Sequence, residues 1–208
     1  MDLDNVDPNG VFEDQTLVEA SDFILDGVGV SNSEWVTTDG FAKRIGFEST
    51  GDISGVTFTV IGYDDVHKHN LVTETVTGPN NSTVRTTNYF YSIQAIAADG
   101  AVGTAVEAGP VDEAITATIP MKRNYFSNDE RAVGLTFIVT GTVDFTVQQT
   151  NDEIQSLDDR SFNWLDHDDS NLINATSSVN GNYIIVPEAM RVKINSYSSG
   201  AALDITVN

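Results

Sequence analysis

The stretch TETVTGPNNSTVRTTNYFYSI, residues 73–93, decides the fold class. Thr73, Thr75 and Thr77 alternate with Glu74, Val76 and Gly78. Gly78-Pro79-Asn80-Asn81-Ser82 supplies five turn-forming residues in succession. Thr83, Arg85 and Thr87 then alternate with Val84 and Thr86, ahead of the aromatic run Tyr89-Phe90-Tyr91. Period-two alternation on both sides of a glycine-proline break reads as strand, turn, strand, with threonines on an exposed sheet face.

The same grammar extends in both directions. Val56, Phe58 and Val60 alternate with Thr57, Thr59 and Ile61, a half-buried strand. Asp64 to Asn70 makes a polar hairpin tip, and Leu71 to Val76 returns from it. Ala42, Arg44 and Gly46 alternate with Lys43, Ile45 and Phe47. Further on, residues 133–139, Thr140-Gly141-Thr142 and residues 143–148 read as a hairpin, and residues 183–186, 190–194 and 203–207 as closing strands. The one helical candidate, residues 152–159, is short. The reading is all-β: two β-sandwich-like domains, immunoglobulin-like or jelly-roll-like. Residues 1–14 form an extended N-terminal arm, either loose or docked on a neighbouring subunit. Residues 15–110 and 111–208 are the two domains, with Gly109-Pro110 as the breaker between them.

Composition bounds the function. The chain has 208 residues, 31 acidic against 10 basic, and a net charge of −21. Phosphate recognition needs clustered Lys and Arg, so neither nucleic acid nor an anionic membrane is expected as a partner. No cysteine is present, which excludes disulfides, thiolate metal sites and thiol catalysis. The opening MDLDNVDPNG has no basic or apolar leader, and a secretory signal is not expected. Asn80, Asn81 and Asn174 stand in glycosylation acceptor spacing, which carries no weight without such a signal.

Three places could carry chemistry. His67 and His69 stand two apart beside Asp64 and Asp65, a spacing that can share a metal on one strand face; a plain polar tip is the simpler reading. His167, within Trp164-Leu165-Asp166-His167-Asp168-Asp169, belongs to a calcium loop or to a surface turn, and the missing central glycine favours the turn. Asp2, Asp4 and Asp7 have only part of a calcium-loop spacing. No G-x-S-x-G, phosphate loop, G-x-G-x-x-G or H-E-x-x-H occurs. No catalytic, cofactor-binding or metal residue is assigned, and the protein is read as a non-enzyme without cofactor. Two basic pairs, Lys43-Arg44 and Lys122-Arg123, are docking points for an acidic partner or local charge balance.

Two segments carry a resemblance. GDISGVTFTVIGYDD with LVTETVTGPNNSTVRTTNYFYSIQAI resembles a module of virion structural proteins of tailed bacteriophages. GLTFIVTGTVDFTVQQTNDEIQ, FNWLDHDDSNL and GNYIIVPEAMRVKINSYSSGAALDITV resemble a second, small β-rich phage module. Together they cover about residues 15–207. The tip DDVHKHNL departs from the shorter turn of the first module, so contacts made there would be particular to this chain. The resemblance implies an accessory virion protein on the outer surface of the head. Its role would be capsid decoration or cement, stabilising the head by binding the major capsid protein and copies of itself, with a trimer at a symmetry axis as one arrangement. The alternative is a tail or fibre component that binds a host-surface glycan through tips 64–70 or 164–170. A polysaccharide hydrolase ranks third.

Overall fold

The computed structural model describes residues 2–3, 6–121, 132–154 and 162–208. The described chain is all-β, and a 3-10 turn at Ser170–Leu172 is the only helical element among these residues. Lys122-Arg123, Asp4 and residues 155–159 of the helical candidate lie outside the described residues. Two compact units are present, Val6–Ala114 and Met1–Asn5 with Ile115–Asn208.

The first unit contains β1 (Phe12–Leu17), β2 (Ser21–Asp22), β3 (Val30–Ser31), β4 (Glu34–Val36), β5 (Ala42–Asp52), β6 (Thr57–Tyr63), β7 (Leu71–Thr77), β8 (Asn80–Arg85), β9 (Ser92–Ala98) and nearly all of β10 (Val102–Ile115). One layer runs β3-β4-β9-β6-β7, with β2 also on β9. The other places β5 between β8 and β10, with β1 on β10. Both layers send apolar residues into one core: Ile45 and Phe47 from β5, Phe58 and Val60 from β6, Ile93 and Ile96 from β9. Four phenylalanines close a circuit inside it. Phe12 stacks on Phe23 at 4.5 Å, Phe23 meets Phe58 edge-on at 5.5 Å, Phe58 lies 5.1 Å from Phe47, and Phe47 lies 6.5 Å from Phe12. Such tilted and offset pairs suit the ring quadrupole.

Residues 73–93 are more than a turn between two paired strands. β7 pairs with β6, whereas β8 pairs with β5 in the other layer. Gly78-Pro79 alone carries the chain across, and β8 already begins at Asn80. The crossing is stapled by Gly78 N–H to Val56 O at 2.8 Å and Ile53 N–H to Pro79 O at 2.9 Å. A Cβ on Gly78 would strike the Ile53 carbonyl, which is why glycine stands there. The polar turn-forming residues Asn80 and Ser82 are tolerated in β8 because Asn80 to Thr83 are solvent-exposed at the end of a sheet.

Gly109-Pro110, expected to break the chain, lies inside the 14-residue strand β10. The segment 7–10 passes over it. A Cβ on Gly109 would run into the Asp7 carbonyl, and Val11 N–H donates to Ala108 O at 2.9 Å. Part of the N-terminal segment is therefore fixed within this unit: Val11 and Phe12 are buried, and β1 starts at Phe12. The outer side of β1 is covered by residues 24–27. Gln15 Nε2 donates to Ile24 O at 2.6 Å, Gln15 Oε1 accepts from Ile24 N–H at 2.9 Å, and Gly27 N–H donates to Val11 O at 3.1 Å.

The second unit contains β11 (Ile119–Pro120), β12 (Val133–Thr140), β13 (Val143–Thr150), β14 (Leu165–Asp166), β15 (Val179–Tyr183), β16 (Ala189–Tyr197) and β17 (Ala202–Val207). β12 lies between β15 and β17, and β13 lies between β14 and β16. The β12–β13 turn has Gly141 at φ +76°, a conformation glycine adopts without strain. Phe137 and Phe145 meet at 5.1 Å between the two sheets. Leu3 is buried here and donates its N–H to Ala201 O at 2.9 Å. Residues 184–186, expected to continue a strand, lie beyond β15, which ends at Tyr183; Ile184 and Ile185 are 76% and 84% exposed.

Candidate functional site

In the first unit, an open groove of about 170 Å³ lies over β5, β8 and β10. Gly46, Val111 and Pro110 give it apolar walls, and Glu48, Arg85 and Asp112 are its charged lining. Ligand pockets for small molecules usually enclose several hundred Å³, and this concavity is smaller.

An ion-pair network borders the groove. Glu113 on β10 receives Arg44 Nη1 on one carboxylate oxygen at 2.6 Å and Arg85 Nη1 on the other at 2.5 Å. Arg44 also donates through Nε to Thr86 O. Burial pushes the Glu113 pKa up, but the hydrogen bonds and charges of Arg44 and Arg85 outweigh it and hold the group below the ordinary carboxylate value. Glu107 behaves oppositely. Burial, and then repulsion from Asp14, Glu48 and Asp7, raises its pKa. The region thus carries two arginines gathered on Glu113 beside a cluster of carboxylates that repel one another at Glu107.

Lys43-Arg44 does not serve as a docking point. The pair sits on a strand between two others, so one member faces the core. Lys43 is fully buried with its Nζ 2.5 Å from Asp39 Oδ2, and Arg44 is bound to Glu113. The alternation already carried this signal, since Lys43 shares a face with Ile45 and Phe47.

At the tip between β6 and β7, Asp65 is buried as a loop organiser. Its carboxylate accepts backbone N–H groups from His67 at 2.8 Å, His69 at 2.9 Å and Asn70 at 2.8 Å. Lys68, at φ +57°, reaches Glu34 at 2.5 Å. The His67 and His69 rings are 5.6 Å apart. Among the described residues, no group of three His, Asp or Glu side chains is arranged to hold a metal ion.

In the second unit, His167 is buried against Tyr183, ring centroids 4.6 Å apart, and its Nδ1 accepts the Asp169 N–H at 2.9 Å. Burial lowers the His167 pKa against the opposing pull of Asp169, Asp168 and the Asn182 backbone. Burial likewise raises the Tyr183 hydroxyl. The Asp169 side chain caps the following 3-10 turn through Asn171 N–H. These contacts describe a packed turn. Trp164 has the Arg191 guanidinium over its ring at 4.3 Å, a cation–π contact. The pair Ile184-Ile185, which alternation could not distinguish from a strand, is exposed, as are Ile138 and Leu165 of the same unit.

The described residues define an all-β protein. No family model, curated protein or solved structure matches the chain.

Proposed function

We propose that this protein is a non-enzymatic accessory component of a tailed-phage virion, a decoration or cement protein that docks on the major capsid protein at the outer surface of the head. The observation that carries the docking is the adjacent pair Ile184-Ile185, both more than three-quarters exposed on the turn after β15. Two large aliphatic side chains held in water at one turn form a ready anchor for a pocket on another protein. The phage assignment rests on the resemblance of the two segments, and the net charge of −21 supports an outward position, away from packaged DNA. Repetition over a symmetric shell lets a modest interface hold firmly. Self-association, in a trimer or otherwise, belongs to the same reading. The tail or fibre alternative needs exposed aromatic faces at a loop tip; at tip 164–170 Arg191 occupies one face of Trp164 and His167 is buried, whereas His67 and His69 are exposed at tip 64–70.

Quantitative mass spectrometry of purified virions against the major capsid protein tests the reading. A ratio near one, or near a simple fraction such as one third, is expected. A few to a few dozen copies per particle moves the protein to the tail, and its absence from virions ends both readings. Ile184→Asp with Ile185→Asp is expected to abolish rebinding to stripped heads.

A further inference from the structure

Lys43 and Asp39 form an enclosed ion pair inside the first unit. Neither side chain has more than 1% of its surface exposed, and Nζ lies 2.5 Å from Oδ2. The other carboxylate oxygen, Oδ1, accepts Thr37 Oγ1–H at 2.8 Å and Phe41 N–H at 2.9 Å. The Phe41 ring stands 5.7 Å from Nζ. The turn that brings the two together, Asp39-Gly40-Phe41, is held by Gly40 at φ +81°.

We propose that Lys43 and Asp39 are a modification site, joined by a self-forming amide cross-link between their side chains. A lysine is almost never fully buried unless it is paired, and two buried charges carry a desolvation penalty that a neutral amide does not. Proton transfer within the pair leaves an amine facing a carboxylic acid. The contact distance puts the nitrogen close to the roughly 3–3.5 Å separation from the carboxyl carbon at which intramolecular attack proceeds. The Nζ–Cγ bond forms while the two donors on Oδ1 stabilise the oxyanion of the tetrahedral intermediate. The Cγ–Oδ2 bond then breaks. Two protons from the ammonium end on Oδ2, which leaves as water. Ammonium and carboxylate become one secondary amide and one water, nothing is oxidised or reduced, and no co-reactant is needed. Enclosure in the core keeps the product from hydrolysis.

The test is the intact mass of the full-length protein, denatured, followed by tryptic mapping. The expected mass is one water below the sequence sum. Trypsin is expected to spare the Lys43–Arg44 bond, with the missing water mapped to residues 39–43. Asp39→Asn is expected to reach the same final mass by losing ammonia, and Lys43→Met to stay at full mass. A succinimide at Asp39-Gly40 also loses one water, but it leaves Lys43 open to trypsin and is cleaved by hydroxylamine. A natural chain at full mass, a water loss mapped elsewhere, or a water loss with Lys43 still cleaved overturns the proposal. If either variant fails to fold, the digest of the natural chain decides alone.

Discussion

Replacing Phe58 with alanine tests the packing of the first unit at its centre. Phe58 has no exposed surface and touches both Phe23 and Phe47, so its ring links the two halves of the four-phenylalanine circuit. Removing a buried phenylalanine side chain costs about 3–5 kcal/mol, which includes the cavity left behind. The two ring pairs account for about 0.5–1.5 kcal/mol each within that cost. At an m-value of about 1.5 kcal/mol/M, the urea midpoint should fall by about 2–3 M. Trp35 is buried in the same core and Trp164 lies in the other unit, so a Trp164→Phe background leaves one reporter where it is needed. Phe58→Leu keeps most of the volume and should cost about 1–1.5 kcal/mol. A loss below about 1 kcal/mol for alanine, or equal losses for alanine and leucine, would refute a close-packed circuit.

Glu113→Gln removes the charge that two guanidiniums share and should cost about 1–2 kcal/mol at neutral pH, allowing for the solvent that reaches both arginines. The folded pKa of Glu113 lies below its unfolded value. Its contribution is therefore complete above about pH 4.3 and lost as pH falls through the folded value; melting curves from pH 7 to 3 should be flatter for the variant. His167 also has a depressed folded pKa. It supports the fold fully above about pH 6.5, and that support is lost as pH falls toward the folded value. His167→Gln should remove this mild-acid slope, and a slope unchanged in thermal melts between pH 8 and 5 would count against it. Gly109→Ala sets a Cβ against the Asp7 carbonyl and should cost about 1–3 kcal/mol, with earlier proteolytic cleavage near residues 7–10 as a second readout.

Much of the fold is legible in the sequence, because period-two alternation is a local signal. Thr57–Tyr63 alternates in burial, and its first four residues alternate in polarity with it; Thr140-Gly141-Thr142 marks the turn between β12 and β13. Errors arise where a distant segment decides. Gly109 looks like a breaker until the segment 7–10 is laid across it, and proline follows it inside a continuous strand. Gly78-Pro79 announces a turn but cannot announce that the next strand belongs to the other layer. Residues 183–186 form an apolar run, yet the ladder with β12 stops at Tyr183 and leaves two isoleucines in water. The candidate site is less legible than the fold. Lys43 was marked by its face, but nothing in the order of residues says that Asp39 turns back to meet it.

The Gln15 carboxamide exchanges two hydrogen bonds with Ile24, much as a peptide group in a neighbouring strand would. One side chain thereby stands in for a missing strand. At high concentration, β1 offers a foreign chain no open row of donors and acceptors at this position, while β8 ends its sheet in the open. An all-β chain guarded in this way can be crowded against its own copies without polymerising through β1, and strand-to-strand growth of that layer of the first unit is left to β8.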